Sequence, residues 1–212
     1  MLWTAEQPYE FEDETLRKID FENKRVIAVT CHRRENLGEY MGNIFTALAD
    51  IAREYKDVEI VYPVHLNPLV RDAADKYLGG LGNVHLIEPL TYQPFTKLLQ
   101  ASYLVVTDSG GIQEEAPALG KPVLVVRKET ERPEAVEAGT VRVIGTEEQT
   151  IVEEAEALLA GGERFFNDVN SGAVIIPRRE YYAYYDCNAC EYERANIRIF
   201  DFFFAELVAL FK

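Results

Sequence analysis

The chain has 212 residues, 48% of them hydrophobic, enough for one ordinary domain with a sizeable core and a short appendage. Its 36 acidic residues outnumber 22 basic ones, giving a formal net charge of −14, which argues against nucleic acid or an anionic membrane as partner. A nucleotide stays open as a ligand, since it needs only a local cluster of donors. The 3 cysteines, an odd number, suit a reducing cytosol better than a disulfide frame. No export pattern opens the sequence and no apolar run is long enough to span a bilayer, so a cytoplasmic location is expected.

Met1–Glu22 is acidic and loop-like, with a short helix expected around Glu12–Ile19. Arg25–Thr30 reads as the first strand. The polar stretch Cys31-His32-Arg33-Arg34-Glu35-Asn36 then falls at a strand's carboxyl end, where ligands sit in open α/β sheets. Met41, Ile44, Phe45, Leu48, Ile51 and Tyr55 recur at helical spacing and predict an amphipathic helix over about Glu39–Tyr55. Val58–Val64 is the second strand. Asn67 followed by Pro68 reads as an N-cap and first helical residue, and Gly79 ends that helix. Val84–Ile87 is the third strand, after a turn at Gly82-Asn83, and Gln93–Ala101 a short helix.

Leu104–Arg127 organises the rest. A buried strand over Tyr103–Val106 runs into Thr107, Asp108 and Ser109, then the pair Gly110 and Gly111. A helix from about Gly111 to Leu119 follows, closed by Gly120, where a left-handed cap is cheap, and Pro122–Val126 is the next strand. Glycines at a helix entrance let a phosphate approach unpaired backbone N–H groups. Glu114 and Glu115 stand about one turn in, within reach of a ribose diol. From spacing alone, a tight turn whose glycines only relieve strain fits equally well. Val141–Ile144 is a last short strand and Thr146–Leu159 an acidic helix with Thr146 as N-cap. This alternation of strands and helices predicts an α/β fold with a parallel, doubly wound (Rossmann-like) sheet, its loops after Thr30, Thr107 and Val126 at one edge.

After Gly161-Gly162 the composition changes. Residues 163–212 are aromatic-rich and carry the pair Cys187 and Cys190, a CxxC with no second pair to complete a zinc site. Glu191–Phe211 reads as a helix and Ala173–Ile176 as an extra strand. The expected organisation is a ligand-binding domain over residues 1–162 with 163–212 as an atypical extension packed on it.

The string TDSGGIQEEAPALGKPVLVVR, followed by Glu131-Arg132-Pro133-Glu134 and Ala138-Gly139-Thr140, resembles the non-hydrolysing UDP-N-acetylglucosamine 2-epimerases. CHRRENLG at Cys31–Gly38 and YPVHLNP at Tyr62–Pro68 fall in the same order and at family spacing. The resemblance runs from about Leu2 to Leu159 and covers the second half of such an enzyme. It implies the C-terminal domain of a glycosyltransferase-B-type pair with UDP-sugar in the cleft between domains. It also implies epimerisation of UDP-GlcNAc to UDP-ManNAc by elimination and re-addition of UDP, with no cofactor and no metal. The family's proton-moving carboxylates lie in a first domain that this sequence does not show, so the chain is expected to bind UDP or UDP-GlcNAc without turning over alone. A missing N-terminal domain and a second copy in a homodimer are the protein partners implied. The alternatives are a related nucleotide-sugar transferase domain and a folded scaffold without a ligand.

By motif match, Ser109, Gly110 and Gly111 would hold the diphosphate and Glu115 the ribose hydroxyls. Arg132 would stand by the sugar or phosphates, Phe95 would meet the uracil, and His32 would act near the glycosidic oxygen. His65 matches a histidine that contacts a second, activating UDP-GlcNAc in bacterial members. Blander readings stand beside these. His32 is a bridge in a polar loop, Arg33 and Arg34 merely pair with Glu35 and other carboxylates, and Phe95 is core. Gln113 and Glu114 form a solvated helix face, and His85 is structural.

Overall fold

In the computed structural model, residues 1–137 and 139–160 are described. The expectations for residues 163–212, including Cys187 and Cys190, lie outside them. Six strands form one sheet: β1 (Arg25–Thr30), β2 (Val58–Pro63), β3 (Val84–Ile87), β4 (Leu104–Thr107), β5 (Val123–Val125) and β6 (Val141–Val143). Their order is β3-β2-β1-β4-β5-β6 and every neighbouring pair is parallel. The order reverses between β1 and β4. Crevices outside the carboxyl ends of strands at such a reversal are where open α/β sheets place ligands.

The central strands are apolar on both faces because helices cover both. α3 (Glu39–Glu54) packs between α4 (Pro68–Leu78) and α8 (Glu148–Leu159), and buries Met41, Ile44, Phe45, Leu48 and Ile51. Val26, Ala28, Val105 and Val125 point the other way. There they join one apolar cluster with Leu98 and Leu99 of α5 (Tyr92–Ala101), Ile112 and Ala116 of α6 (Ile112–Ala118), and Leu16 of α2 (Glu14–Lys18). Successive strand side chains alternate faces, so one strand feeds both layers.

Local chemistry sets the ends as the sequence predicts in most places. Asn67 accepts from the Leu69 amide at 3.1 Å to cap α4, and Gly120 takes φ +68° after α6. At the end of α4 the left-handed residue is Gly80, with φ +80°, rather than Gly79 at −60°. The expected N-cap at Thr146 is not formed. α8 starts later, with Glu147 at its N-cap position, and the Thr146 hydroxyl is buried without a partner. Three one-turn elements carry too little periodicity to be read from sequence: α1 (Leu2–Glu6), a 3-10 turn (Arg34–Asn36) and α7 (Pro133–Glu137). Among the described residues no helix is long and apolar enough to cross a membrane.

Candidate functional site

The loops after β1, β4 and β5 meet at the sheet's carboxyl edge, with Asp108 as the staple between the first two. Its side chain is fully buried. Oδ2 accepts from the His32 amide at 2.9 Å, the Arg33 amide at 2.8 Å and Asn36 Nδ2 at 3.0 Å. Asn36 Nδ2 also donates to the Val126 carbonyl at 3.3 Å, tying in the loop after β5. Below the staple, the Thr30 and Thr107 hydroxyls bond at 2.6 Å across the register pair that joins β1 to β4. Tyr62 donates its hydroxyl to the Cys31 carbonyl. Burial, and then the nearby Asp108 charge, pushes the Cys31 thiol well above its ordinary pKa, so this cysteine is inert packing.

The polar loop so fixed presents His32 with its imidazole stacked on that of His65, the ring centroids 5.2 Å apart and the planes 10° from parallel. His32 Nδ1 lies 3.9 Å from Asp108 Oδ1, an oxygen with no hydrogen-bond partner. His65 comes from the segment between β2 and α4, where its Nδ1 accepts from the Asn67 amide at 3.1 Å. The two histidines to which the resemblance gives different ligands are therefore in contact.

Across the reversal, Ser109 donates its amide to Thr107 Oγ1 at 2.9 Å and starts the turn into α6. Gly110 and Gly111 both keep φ out of the left-handed region, so relief of backbone strain does not account for glycine here. At Gly111 a Cβ would meet nothing within 4 Å. At Gly110 it would stand 2.7 Å from Glu131 Oε1, close enough to displace that carboxylate.

Gln113 corrects one expectation. It is fully buried rather than solvated, because its amide bridges two loops. Nε2 donates to the Ser109 carbonyl at 3.2 Å and Oε1 accepts from the Thr130 hydroxyl. Thr130 Oγ1 in turn accepts from the Arg132 amide at 3.0 Å, which positions Arg132 over α6, its guanidinium paired with Glu114. Glu115 is half-buried and accepts from the Tyr92 hydroxyl at 3.4 Å, while burial raises its carboxyl above the ordinary value. Phe95, on α5, packs half-buried against the cluster that holds Ile112 and Ala116, as its core reading has it. His85 pairs with Glu59 at 2.7 Å within the sheet, away from these loops.

A guanidinium–carboxylate cluster closes the edge. Arg33 donates to Glu131 Oε1 at 2.7 Å, Arg127 donates to Glu131 Oε2, and Arg127 Nε donates to Glu35 at 3.0 Å. A hydrogen bond from its own backbone amide, and then the two guanidiniums, hold the Glu131 carboxyl down at about 2. Beside it an open cleft of about 300 Å³ is lined by Glu35, Tyr40, Arg127, Lys128 and Thr146. Sequence reasoning placed the loops of Asn36, Asp108 and Arg127 at this edge and quoted Glu131 in a motif, but gave none of the four a role. Their partners lie in other loops, and no local pattern in the sequence marks those contacts.

A parallel sheet reversing between β1 and β4, with a glycine pair and several guanidiniums gathered at its carboxyl edge, defines an open α/β domain of the kind that places ligands at such a reversal. The profile of the family described as UDP-N-acetylglucosamine 2-epimerase matches residues 2–190, so the chain belongs to that family. The match runs past Leu159, where the resemblance read in the sequence ends. The UDP-N-acetylglucosamine 2-epimerase of Escherichia coli K12 is 58% identical over 137 residues, 65% of this chain and 36% of that protein. The structure of UDP-GlcNAc 2-epimerase from Neisseria meningitidis bound to UDP-GlcNAc is 45% identical. It superposes with a TM-score of 0.70 over 76% of this chain and 44% of that one. The S. aureus MnaA–UDP co-structure is 43% identical, with a TM-score of 0.69 over 82% of this chain and 49% of that one. The chain thus spans less than half the length of each of these three relatives.

Proposed function

We propose that the described residues are the UDP-holding half of a UDP-GlcNAc 2-epimerase, the enzyme that interconverts UDP-GlcNAc and UDP-ManNAc through loss and return of UDP. The observation that carries this reading is the glycine pair. Gly110 and Gly111 need no unusual backbone angle; Gly111 fronts open space and Gly110 lies under the Glu131 carboxylate, so their small size lets an anionic group come close to the turn. The family's UDP-bound and UDP-GlcNAc-bound relatives supply the ligand class.

In this reading Ser109, Gly110 and Gly111 receive the diphosphate, Glu115 takes the ribose hydroxyls and Phe95 borders the uracil. Arg132 releases Glu114 to meet the sugar or phosphates, since a guanidinium binds phosphate oxygens in a bidentate fork. His32, carried on the stapled loop, stands at the glycosidic oxygen as UDP departs, with His65 behind it bordering a second, activating nucleotide sugar. A cytoplasmic location, a homodimer and a complementary domain across the cleft complete the reading.

In this reading the base at C2 is supplied across the cleft, not by this edge. Around this edge Glu35, Glu114 and Glu131 are each engaged by a guanidinium and Asp108 is buried under the loop. A positioned acid or base contributes roughly a hundred- to ten-thousand-fold, and cleft closure adds comparable factors. Two measurements on the 212-residue chain test the proposal. Calorimetry with UDP is expected to show weak binding that Gly110→Val abolishes; no binding, or equal binding by the variant, sinks the site. Incubation with UDP-GlcNAc in deuterated water is expected to leave C2 unlabelled. Deuterium there would show that a base has been overlooked.

A further inference from the structure

The carboxylate over Gly110 occupies a position that the ligand needs. Glu131 Oε1 lies 2.7 Å from where a Cβ on residue 110 would stand, so it covers the turn assigned to the diphosphate. It is held there by Arg33 at 2.7 Å and by Arg127. Two guanidiniums converging on paired oxygens above a glycine are the contacts a phosphate would make, and carboxylate and phosphate answer the same donor geometry. Both cannot hold the place at once, because anionic oxygens in contact repel.

We propose that Glu131 is an internal stand-in for the ligand's phosphate, and that a nucleoside diphosphate binds by displacing it and taking over Arg33 and Arg127. This rests on the reading of Ser109–Gly111 as the diphosphate seat. Displacement is cheap in structural terms. The Glu131 side chain is 41% exposed and only its flexible end need swing out. Glu35 keeps both guanidiniums in place meanwhile, bonded to Arg127 at 3.0 Å and 3.9 Å from Arg33. The arrangement confers selectivity. Free pyrophosphate must compete with a tethered anion using charge alone, whereas UDP adds base and ribose contacts that hold it while Glu131 leaves.

Calorimetric titration of wild type, Glu131→Gln and Glu131→Ala with UDP, pyrophosphate and uridine tests the idea. Removing the competitor, whose exposed ion pairs are individually weak, should tighten UDP and pyrophosphate by roughly 3- to 10-fold in both variants. Uridine, which lacks phosphate, should bind all three proteins equally, and this also reports that the variants are folded. Wild type that binds UDP alongside variants that bind it no tighter would overturn displacement while leaving the site intact. No UDP binding by any of the three would overturn both.

Discussion

Replacing Asp108 by alanine should unfasten the loop that carries His32. The carboxylate accepts three hydrogen bonds, from the His32 and Arg33 amides and from Asn36 Nδ2, at 2.9, 2.8 and 3.0 Å. Asn36 Nδ2 retains the Val126 carbonyl, so the amides of His32 and Arg33 are the donors left without partners. The two amides are part-buried, so each unpaired donor costs about 1 kcal/mol, the low end for buried donors, and the void left by the buried carboxyl adds to that, giving about 2–4 kcal/mol in all. Asp108→Asn is the sharper control. It keeps the volume and one acceptor oxygen, and sheds a buried charge whose Oδ1 has no hydrogen bond, so about 1–2 kcal/mol is expected. Urea unfolding measures both, and hydrogen exchange at residues 32–36 should accelerate in the alanine variant before global unfolding does. A loss below about 1 kcal/mol in Asp108→Ala would refute the staple, because even one orphaned amide should cost that much.

Other outcomes follow from single positions. Gly38 precedes α3 at φ +91° and ψ −126°, a region costly for any side chain, so Gly38→Ala should lose about 1–3 kcal/mol in urea unfolding. Gly82→Ala, with nothing near its Cβ, should stay within about 0.5 kcal/mol of wild type. Glu131 has its folded pKa depressed from 4.5 to about 2, so its contribution is present above pH 4.5 and is lost as pH falls from 4.5 toward 2. Exposure limits that contribution to under about 1 kcal/mol, and an NMR titration of its carboxyl should give a midpoint near 2 that rises in Arg33→Ala. Burial raises Glu115, so its ionisation opposes folding at neutral pH. Glu115→Gln should therefore be neutral or slightly stabilising in thermal unfolding at pH 7 while weakening uridine binding.

The sheet was legible because its strands are short apolar runs ending in polar loops. Arg25–Thr30 and Val84–Ile87 appear with the bounds the pattern predicts, and the alternation with helices fixes a parallel arrangement. The placement of His32 and Ser109 at one edge follows from the same reasoning, since both trail strand ends. The roles of Asp108, Gln113 and Glu131 were not legible. Each acts through partners that the fold alone brings near: Asp108 and Arg33 are 75 residues apart in sequence, Arg33 and Glu131 98. A buried Asp after a strand and an Asp in a solvated turn look alike in sequence, and so do a bridging Gln and an exposed one on a helix.

The proposed ligand raises the question of how so acidic a chain would hold an acidic group. With a net charge of −14, the whole-molecule field repels a nucleoside diphosphate rather than steering it in. Under the proposed reading, attraction comes from the last few ångströms, from Arg33, Arg127 and Arg132. Arg33 and Arg127 share Glu131 and Glu35, and Arg132 pairs with Glu114, so three guanidiniums face three carboxylates and the edge is locally balanced. Pairing keeps the guanidiniums oriented without a ligand and lowers the cost of gathering like charges in a small space. On the displacement proposal, binding exchanges one anionic partner for another. Its salt dependence should therefore be shallower than three guanidiniums facing a diphosphate would otherwise give, because screening weakens the internal pairs along with the external one.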